Sequence, residues 1–345
     1  MLNGKIILIT GGTGSFGKKM VQVILEEYKP EKLIIFSRDE LKQFEMSQRW
    51  SMKKYPCIRY FLGDVRDKER LNRAFHDVDY VIHAAALKQV PAAEYNPEEF
   101  IKTNIIGAMN VIDAALSNRV KKVIALSTDK ACNPVNLYGA TKLCADKLFV
   151  AANVYKGRDK TIFSVVRYGN VVGSRGSVIP FYKERARTGE LPVTDMRMTR
   201  FWVTLDQSVH FVIKVLELAK GAEIFVPKIP SMSIVDLASA IAPDCSLKVT
   251  GIRPGEKIHE SLIGEDEGRN TIEYNECYVI RLTLPDKNSL SNIDNGGRLC
   301  PEGFQYSSDN NPQKISIEEL RSVIEQISGD YSIEKSRWFM EDVPQ

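Results

Sequence analysis

The chain has 345 residues, and none of its apolar runs approaches the roughly 18–20 residues that a membrane-spanning helix needs. Neither sign of charge dominates: 47 Lys and Arg oppose 44 Asp and Glu, for a net charge of +3. That balance makes no broad field for nucleic acid or an anionic membrane, so neither is expected as a partner. A phosphate-bearing partner must instead be held by local groups. Histidine is scarce, at four residues, and none is spaced with cysteine as a zinc site requires. The six cysteines (57, 132, 144, 245, 277 and 300) form no C-x-x-C pair, so neither a metal site nor a disulfide framework is expected. Scattered cysteines, with a short strand at the start where a secretory signal would carry a long apolar run, predict a reduced, cytoplasmic protein. Repeats and low-complexity segments are also missing.

What is present is alternation. Apolar runs at Lys5–Thr10, 32–37, 58–65, 79–86, 121–128 and 161–170 read as strands. Between them lie stretches of helical spacing, among them 17–28, 104–116 and Tyr138–Tyr155. Strict strand–helix alternation predicts an α/β fold with a Rossmann-like, doubly wound parallel sheet. Ser37 and Glu40 read as a capping box for a helix carrying Leu41, Phe44 and Met46. The rhythm breaks near residue 170, where Gly173, Gly176 and Pro180 punctuate a loop before a basic helix at 181–187. FVIKVLELAK at 211–220 reads as a helix returning to the core. The expected division is a dinucleotide-binding domain at 1–170 plus about 203–226, with a smaller, interleaved α/β substrate cap at about 171–202 and 227–345.

GGTGSFG at 11–17 follows the first strand and opens a helix. Gly11, Gly14 and Gly17 suit a tight turn, close approach to a pyrophosphate and helix–strand contact, with Thr13, Ser15 and Phe16 in the same loop. A helix N-terminus there presents N–H groups and a positive dipole end to phosphate. The second strand ends in SRDELK, about 20 residues on, where such sites read the ribose. Arg38, flanked by Ser37 and Asp39 with Lys42 one turn on, favours a 2′-phosphate and hence NADP over NAD. Asp64 and Val65 end the third strand near the expected adenine. Ala84, Ala86 and Lys88 would lie along the cofactor, with Lys88 pointing into the cleft.

The chemistry is expected at the other end of that cleft. The fifth strand ends in STDKA, and Tyr138-x-x-x-Lys142 follows at i, i+4 on one helical face. A nearby ammonium stabilises a phenolate, so Tyr138 reads as a base for a hydroxyl proton, with Thr128 beside it and Lys142 on the nicotinamide ribose.

Together GGTGSFG, SRDELK, GDVRD, HAAALKQVP, TNIIGAMNV, LSTDKACNP, YGATK, RYGNVVGSRGSVIP, MTRFW and IRPGEK resemble the inverting UDP-N-acetylglucosamine 4,6-dehydratases, which begin pseudaminic acid biosynthesis. The resemblance runs from about residue 4 through RPGEK, and more loosely beyond. It implies a cytoplasmic, NADP-dependent homo-oligomer of the extended short-chain dehydrogenase/reductase type. It also implies that Tyr138, Thr128 and Lys142 oxidise C4, Lys130 removes the C5 proton, Asp129 protonates the departing 6-hydroxyl, and Asn104 adjoins the cofactor. Asn170, Thr194, Arg197, Arg200, Arg253 and Glu256 would hold the UDP-sugar, with Lys88 nearby. A Lys base needs a lowered pKa and an Asp acid a raised one, whereas adjacent opposite charges push both the other way, so the split between Asp129 and Lys130 stays open. Two rivals stand beside this reading. A UDP-hexose 4-epimerase would not need the Asp129–Lys130 pair, and a cofactor-sensing protein would not need Tyr138.

Overall fold

The computed structural model describes residues 1–173, 178–281 and 296–325. Gly176 and the chain beyond 325 lie outside the described residues. In chain order the first half runs β1 (Ile6–Thr10), α1 (Ser15–Glu27), β2 (Lys32–Ser37), α2 (Glu40–Arg49), β3 (Ile58–Leu62), α3 (Lys68–Ala74) and β4 (Tyr80–His83). It continues α4 (Val90–Tyr95), α5 (Pro97–Phe100), a π-helical turn (Ile101–Ile106), α6 (Gly107–Ser117), β5 (Lys122–Thr128), a 3-10 turn (Asp129–Ala131), α7 (Leu137–Tyr155) and β6 (Ile162–Tyr168).

The second half contains β7 (Asn170–Val172), α8 (Val178–Arg185), β8 (Glu190–Val193), β9 (Thr199–Thr204), α9 (Leu205–Leu218) and β10 (Glu223–Pro227). Then come β11 (Ser231–Ser233), α10 (Ile234–Ile241), β12 (Ser246–Val249), β13 (Ser261–Ile263), α11 (Glu265–Gly268), β14 (Thr271–Glu273), β15 (Cys277–Arg281), β16 (Arg298–Leu299) and β17 (Tyr306–Ser307).

The main sheet has the order β16-β14-β15-β10-β6-β5-β4-β1-β2-β3. From β3 to β10 all neighbours are parallel. Central parallel strands are covered on both faces, which is why β1 is apolar from Ile6 to Ile9 and buried along its length. The order reverses between β1 and β4, and loops leaving neighbouring strands there diverge to open a cleft at the carboxyl ends.

The division at 227 differs from the expectation. β15 pairs antiparallel with β10 over five positions, and β14 and β16 follow, so chain assigned to the cap closes the edge of the main sheet. An unpaired β10 edge would leave backbone donors and acceptors exposed, and β15 satisfies them. The cap has its own core of Val172, Ile179, Tyr182, Leu191, Trp202 and Leu237, with Leu320 and Ile324 from a helical stretch at 317–325. β9 serves both cores: Trp202 faces the cap, while Phe201 and Val203 face the sheet, as strand alternation requires.

Two local expectations are corrected. Ser37 and Glu40 form no capping box; Asp39 caps α2 by accepting from the Lys42 amide at 3.0 Å, and Glu40 is the first helical residue. Asp39 wins because it directly precedes the first turn. Ser37 instead accepts from Gln43 Nε2, and that amide also reaches the Ser37 and Phe61 carbonyls, tying the ends of β2 and β3 together. Leu41 and Phe44 are exposed, leaving Gln43 and Met46 on the buried face of α2. The predicted helix at 211–220 begins earlier, at Leu205, behind a capping box of Thr204 and Gln207. Its last turn is closed by Lys122 Nζ, which donates to the carbonyls of Leu216, Glu217 and Ala219.

A buried ionic cluster joins sheet to cap. Arg167 on β6 is fully buried and donates from Nη1 to Glu267 (2.7 Å) and the Leu262 carbonyl, and from Nη2 to Glu267 (3.1 Å) and Asp146 (3.3 Å). Asp146 of α7 also accepts from Ser127 at 2.8 Å. Arg167→Met removes the guanidinium that pairs with buried Asp146 and part-buried Glu267, and is expected to cost about 3–5 kcal/mol in urea unfolding. A loss below about 1 kcal/mol would show that solvent, not Arg167, satisfies those carboxylates.

Candidate active site

The cleft at the strand-order reversal has a volume of ≈ 800 Å³. One end is built by the glycine loop. Gly11 has φ +66°, and a Cβ there would lie 2.8 Å from the Ala85 backbone; at Gly17 it would lie 2.4 Å from the Gly12 carbonyl. Only glycine lets the loop pack this tightly. Gly14 is the N-cap of α1 and offers no side chain, so the first turn faces the cleft uncapped.

Thr13, Gly14, Ser15, Phe16, Ser37, Arg38, Asp39, Lys42, Asp64, Val65, Ala84, Ala86 and Lys88 all line this cleft. Asp39 is salt-bridged to Lys42 at 2.6 Å, and those hydrogen bonds hold its carboxyl below the usual range. Burial works against ionisation of Asp64, but hydrogen bonds from Arg66 outweigh it. The Arg38 side chain is 55% exposed with Nη1 3.9 Å from Asp64, so its guanidinium stays at the rim, available to an anion.

Asn104 corrects its expectation. It does not line the cleft; it is buried, its Oδ1 accepts from the Leu87 amide at 2.9 Å, and its Nδ2 donates to the Leu87 carbonyl and to Thr141 Oγ1. The π-helical turn 101–106 sets it there, so Asn104 fixes the loop carrying Lys88 against α7.

The other end gathers buried titratable side chains. The β5–β6 register runs from Lys122↔Ile162 to Thr128↔Tyr168, setting Tyr168 beside the end of β5. Thr128 Oγ1 donates to Asp129 Oδ1 at 2.8 Å, and Lys130 Nζ donates to the same oxygen at 3.0 Å. Lys130 also lies 3.3 Å from Glu260 Oε1, which the sequence reading did not single out. Asp129 is 1% exposed and its Oδ2 has no hydrogen-bond partner among the described residues. Burial pulls the Lys130 ammonium toward neutrality, but the carboxylates of Asp129 and Glu260 overcome it and raise its pKa.

Tyr138 is buried, which pushes its phenol up to about 12, while the Lys130 charge and a hydrogen bond with Thr128 pull the other way. The nearest ammonium lowering the phenol is that of Lys130, which the i, i+4 spacing did not suggest. Lys142 instead donates to the Leu126 carbonyl at 2.7 Å, and its burial lowers its pKa. Burial likewise keeps His83 neutral, with a pKa of about 3, against Thr10 Oγ1 at 2.7 Å.

Of the expected sugar-nucleotide ligands, Asn170 and Glu256 line the cleft. Thr194, Arg197, Arg200 and Arg253 do not. Thr194 donates to Met198 Sδ, and Arg197 is exposed and forked onto Asp195. Arg200 is held by the carbonyls of Thr199, Ile258 and Lys257, and Arg253 is exposed in the loop before Glu256. Among the described residues no group of His, Cys, Asp and Glu is arranged to hold a metal, and no helix is long and apolar enough to cross a membrane.

Residues 7–282 match the profile of a family described as polysaccharide biosynthesis protein. The chain belongs to that family. An inverting UDP-N-acetylglucosamine 4,6-dehydratase of Campylobacter jejuni is 60% identical over 95% of this chain and 100% of its own length. A UDP-glucose 4-epimerase of Rickettsia canadensis is 38% identical over 94% of this chain and 96% of its own. Among solved structures, Pen from Bacillus thuringiensis superposes with a TM-score of 0.84 at 38% identity, covering 94% of this chain and 99% of that one.

Gly11→Ala places a methyl group against the Ala85 backbone at an unfavourable φ. Dinucleotide binding, followed by quenching of tryptophan fluorescence, is expected to weaken at least about tenfold, the equivalent of about 1.4 kcal/mol. Unchanged binding would mean that no ligand approaches that loop.

Proposed function

We propose that the chain is an inverting UDP-N-acetylglucosamine 4,6-dehydratase that uses NADP. The observation that carries this reading is the hydrogen-bonded Asp129–Lys130 pair in one cleft with Thr128 and Tyr138. Oxidising and re-reducing C4 needs a group like Tyr138; eliminating water across C5 and C6 needs an acid and a base as well. The strong identity to the Campylobacter dehydratase supports the same reading.

The residues fit a dinucleotide: glycine loop and uncapped helix at the pyrophosphate, Arg38 at the 2′-phosphate, Ala84 and Ala86 along the flat ring. The bound nicotinamide would accept a hydride from C4 and return it to C6. Tyr138 takes the 4-hydroxyl proton, its phenolate favoured by the Lys130 charge and Thr128. The C4 ketone acidifies the C5 proton. Lys130 rests as an ammonium and Asp129 accepts its hydrogen bond, so neither group starts in its working state. Moving one proton from Lys130 Nζ to Asp129 Oδ1 along their 3.0 Å contact creates the amine and the carboxylic acid together. Lys130 then removes the C5 proton and Asp129 gives its proton to the departing 6-hydroxyl. A proton from solvent, delivered to the face of C5 opposite Lys130, yields the L-arabino 4-keto-6-deoxy sugar nucleotide. We place the enzyme in the cytoplasm as a homo-oligomer, at the first step of pseudaminic acid biosynthesis, with Asn170, Glu256 and Lys88 facing the substrate.

Similarity to the Rickettsia epimerases favours a second reading, UDP-hexose 4-epimerase. Proton NMR of the protein with NADP and UDP-N-acetylglucosamine in heavy water separates the two. A new C6 methyl signal with deuterium at C5 and L-arabino couplings is expected. Retention at C5 would overturn inversion, and an isomer of unchanged mass would establish the epimerase. Arg38→Ala is expected to weaken NADPH by about ten- to a hundredfold, the value of a charged hydrogen bond of about 1.5–3 kcal/mol, and to leave NADH binding unchanged. Equal loss for both cofactors would refute the 2′-phosphate assignment.

A further inference from the structure

Glu260 has no role in the steps above, yet it is 3% exposed beside the group that takes the C5 proton. Its backbone is pinned: the amide donates to Ser308 Oγ at 3.0 Å, and the carbonyl accepts from the Ser308 amide at 2.8 Å. Its side chain turns away from that loop toward the 3-10 turn Asp129–Ala131. Oε1 meets Lys130 Nζ at 3.3 Å, while Oε2 has no hydrogen-bond partner among the described residues and has Lys257 Nζ 3.9 Å behind it. Lys257 itself donates to the Cys132 carbonyl at 2.6 Å, on the same turn. A buried carboxylate oxygen without a donor is costly, so the arrangement persists only through its two lysines.

We propose that Glu260 is a positioning residue for the acid–base pair: with Asp129 it brackets the Lys130 ammonium between two carboxylates, and with Lys257 it locks the 257–263 segment onto the catalytic turn. This rests on the dehydratase reading and gives the C-terminal segment a part in that chemistry. The charged and titratable groups facing Lys130 are Asp129 on its own turn, Tyr138 on α7, Arg200 on β9, Lys88 after β4 and Glu260. Glu260 and Asp129 favour the ammonium, and Arg200 disfavours it.

The test needs no substrate. Acetic anhydride reacts only with the neutral amine, so the acetylation rate of Lys130 at fixed pH, read by mass spectrometry against exposed Lys53, reports its proton affinity. Glu260→Gln removes an anion and is expected to speed labelling about tenfold or more, the effect of one pH unit. Lys257→Met removes the cation behind Glu260 and is expected to slow it. Looser packing would speed labelling in both variants, and that outcome, or no change in either, overturns the proposal. If Glu260→Gln does not fold, the Lys257→Met direction alone decides: slower labelling supports the assignment, and unchanged or faster labelling overturns it. The heavy-water experiment on the unaltered enzyme tests the dehydratase reading separately, because labelling does not depend on turnover.

Discussion

Arg167 carries its charge in the interior, with no exposed surface, held between Asp146 of α7 and Glu267 of α11. That single guanidinium joins three parts that the chemistry requires in fixed relation. Asp146 orients Ser127, one residue before Thr128, at the end of β5. α7 carries Tyr138 and Lys142. Glu267 and the Leu262 carbonyl anchor the segment that brings Glu260 to Lys130. Buried ion pairs contribute little net stability compared with apolar packing, but they tolerate few alternative arrangements, and the cleft inherits that constraint.

The same logic of mutual constraint governs the charges at the cleft floor. Burial works against the charged forms of Lys130 and Tyr138, and their neighbours work against burial. Lys130 stays charged because two carboxylates face it, and its charge offsets part of the burial that raises the Tyr138 phenol. A proton passed between members of such a cluster leaves its total charge unchanged. That suits a reaction in which acid and base must appear together and vanish together.

The nucleotide end works by the opposite means. Its loop contributes little through side chains and much through their absence: glycines at 11, 14 and 17, alanines at 84 and 86, an uncapped helix. The supporting contacts lie behind the surface, in Gln43 joining β2 to β3 and Asn104 holding Leu87. Backbone packing shapes that end of the cleft, with Arg38 at the rim.

Local chemistry made the parallel strands, the glycine loop, Tyr138 with Lys142 and the Asp129–Lys130 pair readable in the chain, because period-2 and period-3.6 patterns and short motifs depend on neighbours within a few residues. Asp39 in place of Ser37 as the cap was decided by one backbone turn, below the resolution of an S-x-x-E pattern. Thr194, Arg197, Arg200 and Arg253 were expected as ligands through the resemblance, and folding turned Arg197 onto Asp195 and Arg200 onto three carbonyls. Glu260 lies 130 positions from Lys130, and β15 lies 50 from the strand it completes, so no local pattern signals either. The sequence by itself determined the elements and the candidate site motifs; tertiary structure alone decided which charges face one another, because burial and electrostatic partnership are properties of residues distant in the chain and close in space.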